Sequence, residues 1–264
     1  MNRWLFLCGF IGSVVTSQSV FATSSQSHEL EYRVQWGNSF LGRTVASWEF
    51  DANSYQLSGT AKSEGALSFF YDFTGDNQLS GKMVNGTYQP VRFSSQSAYN
   101  KEAYDTEITW QDGQDRPDYR TVPEPDLEKY FPLDEATLDN VTDPYSAMLT
   151  ALDVLAKTGS CDGTYRLFDG RRRSDLTLVD LGNATLEADR PWSFSGDAVI
   201  CGSANKLLGG HQRDSDFDND EEPDFEKVKI YVAKLHDKLM PVRIEIDNFF
   251  GDVIVRLNVR DSRF

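Results

Sequence analysis

The chain of 264 residues is poor in the residues that make chemistry easy to recognise. It has three cysteines and three histidines. No Cys-x-x-Cys pair, no metal-ligand spacing and no Gly-x-Ser-x-Gly elbow occurs in it. Basic residues are scarce as well: 26 Lys and Arg stand against 41 Asp and Glu, a formal net charge of -15. A surface that acidic repels a phosphate backbone, which excludes nucleic acid as a partner. Hydrophobic residues make up 39% and are too interrupted for a helical membrane protein. Aromatic residues reach 12%, too many for a disordered chain. What remains is an acidic globular protein with enough material for one all-β domain or two small ones.

The first 22 residues read as an export signal. Arg3 gives a positive start, Trp4 to Val15 is an apolar run, and Val20-Phe21-Ala22 ends in a small-x-Ala cleavage pattern. The run is too short to span a bilayer comfortably. Leu5-Phe6-Leu7 before Cys8 lacks the small residues of a lipidation site. The mature chain, residues 23–264, is therefore expected in a bacterial periplasm. It keeps two cysteines, Cys161 and Cys201, which in an oxidising compartment read as one disulfide. A reactive thiol pair is the alternative, and no histidine adjoins either residue to support it.

Most of the mature chain alternates with period two, the signature of half-buried strands. Leu30, Tyr32, Val34 and Trp36 share one face. Ala46, Trp48 and Phe50 continue an inward face, then Tyr55 and Leu57. A strand is expected at Phe69 to Phe73, a turn at Asp76-Asn77, and Asn85-Gly86 is a type I′ hairpin signal. Strands follow near Tyr88 to Ser95, Thr106 to Trp110, Tyr165 to Phe168, Leu176 to Leu181 and Ala198 to Cys201. Three more alternating runs close the chain, around Val228–Val232, Met240–Ile246 and Val253–Val259, joined by the turns His236-Asp237-Lys238 and Phe250-Gly251-Asp252. One helix interrupts the strands. Asp143 can cap it, Pro144 suits its first position, and Gly159 can end it. Its stripe of Tyr145, Met148, Leu149, Leu152 and Leu155 is a core-facing pattern. Residues 111–140 carry four prolines with nine acids and three bases, and read as a long surface excursion, either a cover over one end of the sheet or a mobile flap. The fold class is thus mainly β, a single curved antiparallel sheet around one amphipathic helix.

These landmarks, taken in order, resemble the bacterial exported family known as domain of unknown function 3108 (DUF3108). The residues that carry the resemblance are Leu30-Glu31-Tyr32-Arg33-Val34, Leu41-Gly42, Asp143-Pro144, Cys161 and Phe168-Asp169-Gly170-Arg171-Arg172. Cys201, Gly209-Gly210, Pro241-Val242-Arg243-Ile244 and Gly251-Asp252-Val253 complete the set. The resemblance spans nearly the whole mature chain and implies an open β-barrel or β-spiral wrapped around a helix. It brings no assigned reaction. The acidic insert after Arg213 departs from the family pattern.

Four local features are candidates for function. Asp214, Asp216, Asp218 and Asp220 alternate like the start of an oxygen-ligand calcium loop, although Phe225 stands where an EF-hand places its bidentate Glu. The competing reading of residues 214–226, eight acids without a base, is a solvated hairpin tip. Arg171 and Arg173, sharing a face by strand alternation, are candidates for contact with an anion or for pairing with Asp169 and Asp175. His211, after Gly209-Gly210, is the histidine with a plausible cleft position; His28 lies near the mature N-terminus and His236 in a turn. Aromatic density around Trp36, Trp48, Phe69, Phe70, Tyr71 and Phe73 suits either a ligand lining or an ordinary core. The leading expectation is a non-enzymatic periplasmic β-protein, without a cofactor unless calcium binds, holding a lipid-like or envelope-derived ligand on its concave face. A structural envelope protein with a filled core is the alternative, and a hydrolase built on His211 is a third.

Overall fold

The computed structural model describes residues 26–65, 68, 71–213, 222–247 and 251–264. Thirteen strands are present among them: β1 (Gln26–Trp36), β2 (Ser39–Phe50), β3 (Ser54–Ser63), β4 (Phe73–Val84), β5 (Thr87–Tyr99), β6 (Glu102–Thr109) and β7 (Asp118–Val122). After helix α1 (Pro144–Thr158) come β8 (Gly163–Phe168), β9 (Arg173–Leu186), β10 (Gly196–Gly209), β11 (Val228–Leu235), β12 (Lys238–Ile246) and β13 (Val253–Leu257). They form one antiparallel sheet in the order β7-β6-β5-β4-β3-β2-β1-β13-β12-β11-β10-β9-β8. Two meanders therefore meet where the first strand pairs with the last, Tyr32 opposite Leu257.

The hydrogen-bonded ladder stays open, but its two edges approach each other. The rings of Tyr119 on β7 and Phe168 on β8 meet edge to face at 5.0 Å. Residues 140–142 fill the seam. Thr142 N donates to Arg166 O, Phe168 N donates to Thr142 O, and Trp110 Nε1 donates to Val141 O. Covering an edge in this way satisfies backbone groups that would otherwise invite another strand.

Helix α1 lies against the concave face and begins as its sequence predicts. The Asp143 carboxylate accepts from Tyr145 N and Ser146 N, and Gly159 ends the helix at φ 77°. Two sheet glycines leave room for tyrosines beside it, one on the helix and one on β3. A Cβ on Gly59 would stand 2.6 Å from Tyr145 Oη, and one on Gly81 would stand 2.1 Å from Tyr55 Cζ. Tyr55 and Ser146 share a 2.7 Å hydrogen bond, and Asn77 Nδ2 donates to Tyr145 Oη. Leu30, Leu57, Phe93, Ile108, Leu149 and Leu257 belong to the same core. Cys161, just past the helix, is bonded to Cys201 on β10, beside Leu155 and Val232.

Several expectations need correction. Residues 118–122 form the edge strand β7, because the prolines flank that segment and leave its ladder donors intact. Leu138, in a short 3₁₀ turn, is fully buried, and residues 129–131 bond to residues 210–213. Residues 111–140 are therefore integrated into the domain. Asp76 and Asn77 lie within β4, paired with Thr60 and Gly59, and form no turn. Of the aromatic group, Trp48 is buried, whereas Trp36 is 45% exposed and Tyr71 44%. Phe69 and Phe70 fall outside the described residues.

Candidate functional site

The expected export signal, residues 1–22, and the four calcium candidates, Asp214, Asp216, Asp218 and Asp220, also lie outside the described residues. Among the described residues no cluster of three metal-ligating side chains occurs. No helix there is long and apolar enough to cross a membrane.

Arg171 and Arg173 do not share a face. Gly170 takes φ 89° and puts Arg171 in the turn, while Arg173 begins β9. The Arg171 guanidinium donates to Val122 O and Pro123 O and stands over the Tyr104 ring. Arg173 is 1% exposed; it donates to Thr137 O and pairs with Asp175. Both arginines fasten the β8–β9 turn to residues 122–137.

His211 stacks against Phe131, with ring centroids 4.6 Å apart. Its Nδ1 is buried and has no hydrogen-bond partner among the described residues. Gly209 and Gly210 before it have a packing explanation. A Cβ on the first would crowd Pro132 O, and one on the second would overlap Arg171 O.

A constellation not foreseen from the sequence lies at one end of the sheet. The registers bring together the start of β1, the β2–β3 turn, the Asn85-Gly86 turn and the His236-Asp237 turn. Trp48, Phe50, Met83 and Tyr88 face the interior there, the last three only half-buried. Phe50 and Tyr88 meet edge to face at 6.4 Å, and Tyr88 meets Tyr55 at 5.3 Å. Burial raises the Tyr88 hydroxyl above its ordinary value, with Asp153 of α1 adding to the effect.

Two bases sit on this aromatic wall. Lys238 Nζ is 2.7 Å from His28 Nε2 and 5.5 Å from the Phe50 ring centroid. His28 is 8% exposed, lies 6.2 Å from Trp48, and has a buried Nδ1 without a hydrogen-bond partner. Burial lowers the imidazole below its ordinary value, and Lys238 and then His236 lower it further. Burial likewise lowers the Lys238 ammonium. Of the carboxylates next to them in sequence, Asp237 pairs with Lys234 and Glu29 with Arg263. A neutral imidazole accepting at Nε2 from the ammonium leaves the pair with one positive charge.

Comparison with known proteins bears on the fold. No curated protein matches the chain. A crystal structure of a beta-barrel-like protein of domain of unknown function DUF1849 from Brucella abortus is similar, with a TM-score of 0.53 at 14% identity. The match covers 88% of this chain and 95% of that one. At that identity the likeness concerns the fold alone. The family described as protein of unknown function (DUF3108) matches residues 31–258. That match spans most of the open antiparallel sheet and its helix, and the chain belongs to the DUF3108 family.

Proposed function

We propose that this is an exported, periplasmic, non-catalytic β-protein that holds a lipid-like ligand at the open end of its sheet. Export rests on the N-terminal charge, apolar run and cleavage pattern, and a disulfide suits an oxidising compartment. The observation that carries ligand binding is the half-buried wall of Phe50, Met83 and Tyr88, which faces inward yet lacks full cover. Exposed apolar surface of that kind costs free energy in water, and an acyl chain laid on it would recover about 25 cal/mol per Å². Tyr55, opposite Phe50, covers Gly81, and farther in Tyr145 occupies the space over Gly59, so the ligand stays at the end and does not pass between helix and sheet.

A second reading, a scaffolding envelope protein without ligand, is favoured by that same tight interior. Native mass spectrometry of protein purified from its own periplasm separates the two. The ligand reading expects an amphiphile to co-purify, or a neutral one such as dodecanol to bind when added. A clean apo mass that takes up no added amphiphile would favour the scaffold. Intact mass of the same sample tests processing, which is expected to begin the chain at residue 23.

A further inference from the structure

We propose that Lys238 and His28 form a subsite for the carboxylate of a single-chain fatty acid, whose apolar chain runs over Phe50, Met83 and Tyr88. The inference rests on the reading of the open end given above and adds the head group.

Three observations carry it. First, two basic side chains in hydrogen-bond contact at 2.7 Å repel whenever both are protonated. A protein with 41 acids and 26 bases has carboxylates in excess to neutralise such a pair. Nevertheless the neighbouring Asp237 and Glu29 pair with Lys234 and Arg263. Second, the contact lies on apolar ground. Lys238 stands over Phe50 and His28 beside Trp48, so a carboxylate arriving there meets a partly desolvated cation and gains a stronger charge-assisted hydrogen bond. Third, the pair's single positive charge matches a monoanion. The ammonium has three donors and gives one to His28, which leaves two for carboxylate oxygens.

The plain structural alternative is a lysine held by its contact with the Phe50 ring. That contact accounts for Lys238, but it leaves His28 as a buried base beside a second base with one ring nitrogen unpartnered.

Isothermal titration of the mature protein with dodecanoate, dodecanol and dodecyl phosphate at pH 7.5, each below its micelle or solubility limit, tests the assignment. The expected result is dodecanoate at least about tenfold tighter than dodecanol, and dodecyl phosphate no tighter than dodecanoate. Lys238→Met should bring dodecanoate down to the affinity that the same variant shows for dodecanol. His28→Gln, read by the same ratio, serves if the first variant does not fold. Equal affinity of dodecanoate and dodecanol for the wild type would overturn the carboxylate subsite and leave the apolar site standing. Tighter binding of dodecyl phosphate would overturn the assignment to a monoanion. Absence of binding by all three would remove the apolar site itself.

Discussion

The Tyr55 ring lies across the backbone of Gly81, its Cα partner on the neighbouring strand, at a distance where a single added methyl would overlap it. An aromatic side chain covering a strand glycine supplies the apolar contact that glycine lacks. It also closes the interior beside the open end. Gly81→Ala is therefore expected to destabilise the protein by about 1–3 kcal/mol through overpacking, measured by urea unfolding. An unchanged unfolding midpoint would show that the ring is free to move aside.

Asp143 caps α1 from a fully buried position, and its Oδ2 has no hydrogen-bond partner among the described residues. Burial raises this carboxyl above its ordinary value, against the hydrogen bonds from Ser146 and Tyr145. A raised folded-state pKa means the folded protein holds its proton more tightly than the unfolded chain. The associated stabilisation is present below the unfolded pKa and is lost as pH rises through the folded one. Asp143→Asn keeps a capping oxygen and removes the charge, so its stability relative to wild type should improve from acid to neutral pH. Asp143→Ala should cost about 1 kcal/mol more than Asn at any pH, through the lost cap. A wild-type minus Asn difference that does not vary with pH would contradict this.

His28 behaves in the opposite sense. Its folded-state pKa lies below the ordinary histidine value because of burial, Lys238 and His236. Its contribution is present above the unfolded pKa, near 6.5, and is lost as pH falls through the folded one. Thermal melts between pH 7.5 and 5 should decline for wild type and flatten in part for His28→Gln. Parallel declines in both proteins would assign the acid sensitivity to other groups.

The Cys161–Cys201 bond joins positions 40 apart in sequence and fastens the helix exit to β10. Replacing both cysteines with alanine should lower stability by about 2–5 kcal/mol. Chemical denaturation with and without reductant checks this; free-thiol labelling of both cysteines in native, unreduced protein would refute the bond.

Much of the architecture was legible in the residues, and for local reasons. Asp143, Pro144 and Gly159 mark both ends of α1, and Asn85-Gly86 turns with φ of 52° and 76° as a type I′ pair requires. The alternating runs that end the chain became β11, β12 and β13. What was not legible depends on strand order. His28 and Lys238 are 210 positions apart and meet only because β1 pairs with β13 and β13 with β12. Read singly, His28 looked like part of a loose N-terminus and Lys238 like a turn residue. Strand β7 was hidden by the surrounding prolines, which interrupt the periodicity on both sides of a five-residue segment. The space that Gly59 and Gly81 leave is filled by tyrosines from α1 and β3, which the alternation within one strand does not reveal.

The central claim is that a lipid-like ligand occupies the end of the sheet while the helix keeps the interior filled. NMR of the mature protein, with labelled aromatic rings and methionine methyls and titrated with dodecanoate, tests it most directly. The account predicts shifts at Phe50, Met83, Tyr88 and His28, with Tyr145 changing little. Shifts centred on Tyr145, Met148 and Phe93 would contradict it by moving the ligand between helix and sheet, and a spectrum unaltered at saturating dodecanoate would remove the ligand altogether.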